Sequence, residues 1–156
     1  MIFLAVLAGG MIGAPARYLV DRTIQIRHDS VFPWGTLVVN LAGSAVIGFL
    51  LGAQRHLGLP PVVFGLLGTG LCGGLTTFST FSYETLRLLE DGAVGEAGLN
   101  VIGSLVAGVL LAWLGYLLAG VALADIPSPP PLPQPPVQLE GVRAARSGPG
   151  RACRTV

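Results

Sequence analysis

Four long apolar segments constrain what this chain can fold into. They cover about residues 2–20, 34–53, 62–83 and 99–123, and none of them contains an aspartate or a glutamate. Roughly 20 helical residues cross the hydrocarbon core of a bilayer. With 52% hydrophobic and 11% charged residues and a mean hydropathy of +0.72, the composition is typical of a membrane protein. The sequence therefore predicts an all-α membrane protein with four transmembrane helices, in which short linkers make neighbouring helices antiparallel.

The chain divides at about residue 124. Residues 1–124 hold the four spans, and Met1 leads directly into apolar sequence without the basic region of a secretory signal, so we expect the first span to be retained. Residues 125–156 are rich in proline and arginine and lack hydrophobic periodicity, which predicts a disordered tail. A polyproline ligand for a partner domain is the alternative interpretation of this tail.

Charge and cysteine content exclude several function classes. The net charge is +1 and lysine is absent from the sequence, so a nucleic-acid partner is not supported. The two cysteines, Cys72 and Cys153, are far apart in different settings, which indicates neither a disulfide framework nor a metal site. The spans bring no nucleophile together with a base, so the pattern does not favour an enzyme.

The third apolar segment has an unusual composition for a continuous membrane helix. Residues 68–83 include four glycines, four threonines and two serines. Gly73 and Gly74 tolerate unusual backbone angles, so we predict that this helix is broken mid-membrane at residues 73–77. Exposed backbone groups survive in a bilayer only where protein or a polar cavity satisfies them, which suggests that the break binds something. The alternative is a surface of small residues that merely lets helices pack closely.

Two other spans carry polar side chains at helical spacing. Thr36, Asn40 and Ser44 share one face of the second span, and Asn100 and Ser104 share one face of the fourth. An amide in hydrocarbon is costly without a partner. These faces predict a narrow polar path, whereas interhelical hydrogen bonds that hold the bundle together are the structural alternative.

Apart from Arg17, the polar groups inside the predicted spans are neutral donors. Proton-coupled transporters generally need a titratable group at membrane depth, and the nearest carboxylate, Glu84, follows the third span. Phe78 and Phe81 lie three residues apart, so their ring edges, which carry the positive part of the aromatic quadrupole, can face the same path. Donors without negative charge favour an anion, although both rings could instead be core aromatics. Arg17, near the end of the first span, is expected to snorkel or to make a structural contact rather than to bind an ion in a vestibule.

The distribution of arginines gives only a weak orientation signal. Arg22, Arg27 and Arg87 lie on one side of the membrane in this topology, and Arg55 lies on the other. Because only charges near span ends count strongly, this chain is expected to insert both ways. Insertion in both directions permits an antiparallel homodimer.

Three motifs resemble the CrcB/Fluc family of fluoride channels in order and spacing, and the resemblance covers about residues 2–123. They are Gly10-Met11-Ile12-Gly13-Ala14-Pro15-Ala16-Arg17-Tyr18, Pro33-Trp34-Gly35-Thr36-Leu37-Val38-Val39-Asn40, and Gly73-Gly74-Leu75-Thr76-Thr77-Phe78-Ser79-Thr80-Phe81. The resemblance implies a dual-topology homodimer in the inner or plasma membrane, with two pores that export cytoplasmic fluoride passively and so reduce its toxicity.

The resemblance also implies how such a pore is built. Asn40 would present its amide to fluoride, Phe78 and Phe81 would line the pore, and Ser79 and Thr80 would contribute hydroxyl groups. By the helical spacing described above, the hydroxyls of Thr36 and Ser104 would extend the polar path. Carbonyl groups of Gly73 and Thr76 would hold a structural sodium ion at the dimer centre, where oxygen dipoles replace its hydration shell.

Two positions depart from the family pattern, and two other functions compete. Asn100 stands where some members are expected to have tyrosine, and Gly108 stands where a serine could continue the path.

The first competing function is a small dual-topology multidrug exporter, which requires a carboxylate that these spans lack. The second is a membrane scaffold whose glycine-rich faces serve assembly only.

Overall fold

The computed structural model describes residues 1–27 and 30–126, and all regular elements in these ranges are helical. The elements are α1 (Ile2–Arg27), α2 (Trp34–Leu57), α3 (Pro61–Phe64), a π-helical segment (Gly65–Cys72), α4 (Gly73–Leu75), α5 (Phe78–Glu90) and α6 (Val94–Ala122). Apart from Asp125 and Ile126, the predicted tail lies outside the described residues.

Four helical stretches are long and apolar enough to cross a membrane, which confirms the predicted all-helical, four-span class. They are Ile2–Arg27, Trp34–Leu57, Pro61–Glu90 and Val94–Ala122. We call Pro61–Glu90 the third span, although it contains several elements. The chain is therefore a multi-pass membrane protein.

The connection between α2 and the third span is defined by glycine and proline. Gly58 ends α2 in the left-handed region (φ 58°, ψ 48°), and its N–H donates to the carbonyl of Gln54 at 3.0 Å. A residue with a Cβ is strained in this conformation, which is why glycine suits the C-cap. Pro60 and Pro61 follow, and Pro61 occupies the first turn of α3, where its missing N–H costs nothing.

Glycines allow α1 to approach the third span closely. A Cβ on Gly9 would lie 2.7 Å from the backbone nitrogen of Leu71, and one on Gly70 would lie 2.9 Å from the Cα of Gly9. A Cβ on Gly13 would meet the carbonyl oxygen of Leu71. Small residues at these positions let the two backbones touch, as is common between membrane helices.

α2 packs against α6 in the same way. A Cβ on Gly48 would meet the backbone of Ala112, and a Cβ on Gly115 would meet the carbonyl oxygen of Ala45. Both glycines are buried. The bundle thus consists of two tightly packed helix pairs, with α5 attached more loosely: Leu88 is its one buried residue.

The interior of the bundle contains polar side chains. Of the three largest fully buried side chains, Val39, Thr36 and Asn100, two are polar. Large apolar side chains such as Phe3, Val109 and Val121 point outward and are more than two-thirds exposed in the single chain. This arrangement is expected where lipid covers the outside and polar groups must find partners within the protein.

Two extended residues separate the helical elements of the third span. α4 ends at Leu75, Thr76 and Thr77 are extended (ψ 157° and 126°), and α5 begins at Phe78. We expected Gly73 and Gly74 to open the helix. Both are helical instead, with Gly73 at φ −64°, ψ −33°. The extended residues are threonines because side-chain oxygens, rather than glycine freedom, compensate for the helical bonds that are lost here.

Candidate functional site

A groove of about 520 Å³ lies between α2, the third span and α6. It brings together residues that the sequence pattern selected from three separate segments. Those that line it are Asn40, Ser44, Gly73, Thr76, Phe78, Phe81 and Ser104. The predicted pore residues Asn40, Phe78, Phe81 and Ser104 therefore share one surface with both predicted metal-binding residues.

Asn40 and Thr77 form a reciprocal pair of hydrogen bonds. The Asn40 Nδ2 donates to the Thr77 carbonyl at 3.1 Å, and the Thr77 N–H donates to the Asn40 Oδ1 at 2.8 Å. The amide side chain thus replaces two main-chain partners of the extended segment. Because an NH₂ group has two hydrogens, one donor of Asn40 remains for another acceptor.

The Thr77 side chain caps α5. Its Oγ1 accepts from the N–H of Thr80 at 3.2 Å, donates to the Thr80 Oγ1 at 3.1 Å and lies 3.3 Å from the Ser79 Oγ. A threonine at this position satisfies one of the free N–H groups at a helix start. Ser79 and Thr80 are thus held in a hydroxyl cluster. Neither is among the residues that line the groove.

Two carbonyl oxygens near the extended segment lose their usual helical donors. In a continuous helix, the N–H of Thr77 would bond the Gly73 carbonyl and the N–H of Thr80 would bond the Thr76 carbonyl. These N–H groups bond Asn40 and Thr77 side-chain oxygens instead. The Thr76 carbonyl accepts from the Arg17 Nη1 at 3.2 Å. Arg17 of α1 thus contacts the extended segment of the third span.

The two phenylalanines differ in their surroundings. Their ring centroids lie 6.1 Å apart with an interplanar angle of 38°. Phe78 is 80% exposed in the single chain, whereas Phe81 is partly buried. The groove is therefore open along the side where Phe78 stands.

Thr36 lies away from the groove. It lines a separate cavity of about 210 Å³ together with Arg17, Asp21, Thr77 and Thr80. Its side chain is 1% exposed, and its Oγ1 makes no hydrogen bond within 3.5 Å, although the Glu84 carboxyl lies nearby. The structure thus separates Thr36 and Thr80 from the predicted pore residues Asn40 and Ser104.

Neutral groups dominate the chemistry of the groove. The Ser104 Oγ is buried and without a partner, and the Asn40 amide has a spare hydrogen, so both can donate to a bound species. No cluster of three histidine, cysteine or acidic side chains occurs in the part of the chain that the structure describes. The groove therefore offers hydrogen bonds without negative charge.

A model of the family described as "CrcB-like protein, Camphor Resistance (CrcB)" matches residues 4–116. The chain belongs to the CrcB family. This membership confirms the resemblance that the three sequence motifs indicated, and it covers all residues that line the groove.

Curated relatives of this CrcB protein carry the name "Fluoride-specific ion channel". FluC 1 of Streptomyces avermitilis is 54% identical over 125 residues, which cover 80% of this chain and 97% of that protein. FluC 1 of Frankia casuarinae is 54% identical over 125 residues, with 76% and 96% covered. FluC of Thermus thermophilus is 45% identical over 118 residues, with 76% and 93% covered.

In this CrcB protein the sequence pattern indicates no separate role for Thr77. In the structure Thr77 joins α2 to α5 through its backbone and its hydroxyl. Its position three residues before Thr80, at the start of a helix, is the signal for an N-cap. Ser44 belongs to the predicted polar face of the second span without being a predicted site residue, and it lines the groove.

Proposed function

We propose that this chain is a fluoride-selective channel that exports cytoplasmic fluoride passively. Three observations support the proposal: membership of the CrcB family, relatives that are named fluoride-specific ion channels, and a groove between the apolar helices that contains neutral donors. The groove is the structural observation that carries it, because Asn40 and Ser104 have free donor capacity there.

The geometry suggests how a small anion could lose water in the groove. The spare hydrogen of the Asn40 amide, the Ser104 hydroxyl and the ring edges of Phe78 and Phe81 would replace part of its hydration shell. In a low dielectric these donors are stronger than in water. A carboxylate in the groove would repel the anion, and its lining contains none.

The driving force comes from the membrane rather than from the protein. Hydrogen fluoride crosses membranes as a neutral acid and dissociates in the cytoplasm. A membrane potential that is negative inside then moves the anion outward, with roughly 2.3 kcal/mol per elementary charge for each 100 mV. A passive path is therefore sufficient for export.

Efflux from proteoliposomes tests this proposal. Vesicles loaded with potassium fluoride and given a potassium ionophore should release fluoride to an external electrode, while vesicles loaded with chloride should release almost none. Phe78→Ile and Phe81→Ile should abolish the flux. Phe49→Ile is the matched control, because Phe49 is 40% exposed on α2 and does not line the groove. Proton-dependent export of organic cations without fluoride flux would favour the multidrug exporter.

We also propose that the chain works as a dual-topology, antiparallel homodimer in the inner or plasma membrane. Phe78 is 80% exposed beside Gly73, and a Cβ on Gly73 would meet nothing within 4 Å. A second copy placed against this side would close the groove and give each dimer two pores. The small charge difference between the two sides, with Arg22, Arg27 and Arg87 against Arg55, is compatible with insertion both ways.

Gly73→Ala separates the single chain from the dimer. The protomer has room for the added Cβ, so the variant should fold, but it should dissociate at higher protein concentrations than the wild type if a partner lies against Gly73. For topology, Ser30→Cys in a background without Cys72 and Cys153 should be labelled to about half by an impermeant maleimide. Complete labelling, or none, would show a single orientation and would contradict the dual topology.

We further propose that a structural sodium ion binds carbonyl oxygens of Gly73 and Thr76 from both copies. Both carbonyls lack their usual helical donors and both residues line the groove. Neutral carbonyl oxygens suit a hard monovalent cation. The Arg17 guanidinium already contacts the Thr76 oxygen, so the ion would use the second lone pair of that oxygen. Replacing sodium by a bulky organic cation should stop conduction, and unchanged conduction would refute the site.

A further inference from the structure

A chain of two hydrogen bonds links α6 to the backbone of Phe81. The Nδ2 of Asn100 donates to the Oγ1 of Thr85 at 2.9 Å, and this hydroxyl donates to the carbonyl of Phe81 at 2.7 Å. Asn100 is fully buried, and its Oδ1 has no partner. The amide is thus used for one directed bond toward α5.

Packing alone fixes α5 poorly. Leu88 is its one buried residue, and the extended pair Thr76 and Thr77 separates α5 from the helix before it. The Thr77 cap holds the first turn of α5. The bond from Asn100 reaches Thr85, two turns further along, and therefore fixes the rotation of the helix about its axis.

Burial of Asn100 is costly by itself. An unpaired buried acceptor such as its Oδ1 destabilises the folded protein, and an apolar side chain of similar size avoids this cost. The amide therefore contributes something that packing cannot, namely a directional contact. A threonine that bonds back to the preceding turn tends to bend its helix, so the partner of Thr85 also sets the local path of α5.

We propose that Asn100 is a positioning residue, which acts through Thr85 to hold the ring of Phe81 in the groove. The inference rests on the proposed fluoride conduction, in which Phe81 lines the path. Asn100 itself is not among the residues that line the groove, so its effect is transmitted through α5.

Three substitutions and one control test the relay. Asn100→Leu removes the donor and keeps the number and branching of the side-chain heavy atoms, Thr85→Val removes the hydroxyl at the same shape, and Thr85→Ser retains it. Ser82→Ala is the matched control, because the Ser82 Oγ donates to the carbonyl of Phe78 at 2.9 Å but is exposed and has no partner on α6. An interhelical hydrogen bond in a membrane contributes about 0.6 kcal/mol on average and about 1.7 at most, which corresponds to about threefold to 20-fold. Fluoride flux should therefore fall by about threefold to 20-fold in Asn100→Leu and Thr85→Val, and should be retained in Thr85→Ser and Ser82→Ala.

A spectroscopic readout separates positioning from general destabilisation. With 4-fluorophenylalanine at position 81, the ¹⁹F resonance should shift or split in Thr85→Val and return to the wild-type position in Thr85→Ser. The double variant Asn100→Leu/Thr85→Val should have a fluoride flux and a stability no lower than those of either single variant, because the two residues form one relay. Unchanged flux, or lost flux with an unchanged resonance at position 81, would overturn the proposal.

The same measurements distinguish this inference from the proposed function. If the wild type carries no fluoride, the conduction proposal fails, while the resonance and the double-variant stability still report whether Asn100 positions Phe81. If Asn100→Leu does not fold, the Thr85→Val and Thr85→Ser pair carries the test.

Discussion

Replacing Asn40 tests whether a side chain holds the extended segment of the third span in place. Asn40→Ala removes both hydrogen bonds to the backbone of Thr77, at 3.1 and 2.8 Å, and leaves an N–H and a carbonyl without those partners. Interhelical hydrogen bonds in membranes contribute about 0.6 kcal/mol on average and about 1.7 at most. Two bonds therefore amount to about 1 to 3 kcal/mol, or roughly a 5- to 150-fold change in the folding equilibrium.

Asn40→Asp keeps the shape and changes only the donor. A protonated carboxyl can donate its O–H to the Thr77 carbonyl and accept from the Thr77 N–H, which reproduces the pattern of the amide. An ionised carboxylate has no donor and faces the lone pairs of that carbonyl. The stability of Asn40→Asp should therefore approach that of the wild type near about pH 4 and fall to that of Asn40→Ala, or below it, by about pH 8.

Thermal unfolding in detergent across this pH range is the assay, with fluoride flux measured at neutral pH. Val46→Ala is the control on the same helix, because Val46 is 39% exposed and does not line the groove. Its stability should be nearly independent of pH. If Asn40→Ala unfolds and conducts like the wild type, or if Asn40→Asp shows no pH dependence, then the Asn40–Thr77 pair does not hold the extended segment.

Five further substitutions have expected outcomes. Gly9→Ala should destabilise the fold by about 1 to 3 kcal/mol in thermal unfolding, because its Cβ meets the backbone of the third span. A Cβ on Gly98 meets nothing within 4 Å, so Gly98→Ala should be neutral or stabilising. Equal stability of the two variants would contradict the packing argument. Thr77→Val should lower the free energy of unfolding by about 0.5 to 2 kcal/mol, because the cap is lost. Thr77→Ser should retain most of the stabilisation that the cap provides. Thr36→Val removes a buried hydroxyl without a partner and should leave fluoride flux within about twofold; a large loss would put Thr36 back in the path.

The four-span architecture could be predicted because 20 apolar residues have few alternatives to a membrane helix. The residues at which the helices end could not be predicted in the same way. α1 continues to Arg27, beyond the predicted end near residue 20. Outside the hydrocarbon a helix continues wherever local contacts support it, and the side chain of Gln25 donates to the Asp21 carboxylate at 3.1 Å one turn earlier.

Helical periodicity found part of the candidate site. Asn40 and Ser44 on α2, and Ser104 on α6, line one groove because residues four apart share a face. The same rule fails for Thr36, which faces a cavity lined by Arg17 instead. Periodicity gives the direction of a side chain but not the neighbour that lies there, and at the depth of Thr36 the neighbouring element has changed.

The extended segment depends on three other helices at once. Arg17 of α1 donates to the Thr76 carbonyl, Asn40 of α2 pairs with the backbone of Thr77, and the Thr77 hydroxyl caps α5. Arg17 lies two turns, or about 12 Å, from Gly9 along α1. A displacement of α1 caused by a Cβ on Gly9 would therefore move the guanidinium away from its carbonyl. For this reason substitutions in the glycine contacts are expected to alter the groove as well as the stability, although no glycine of α1 lines it.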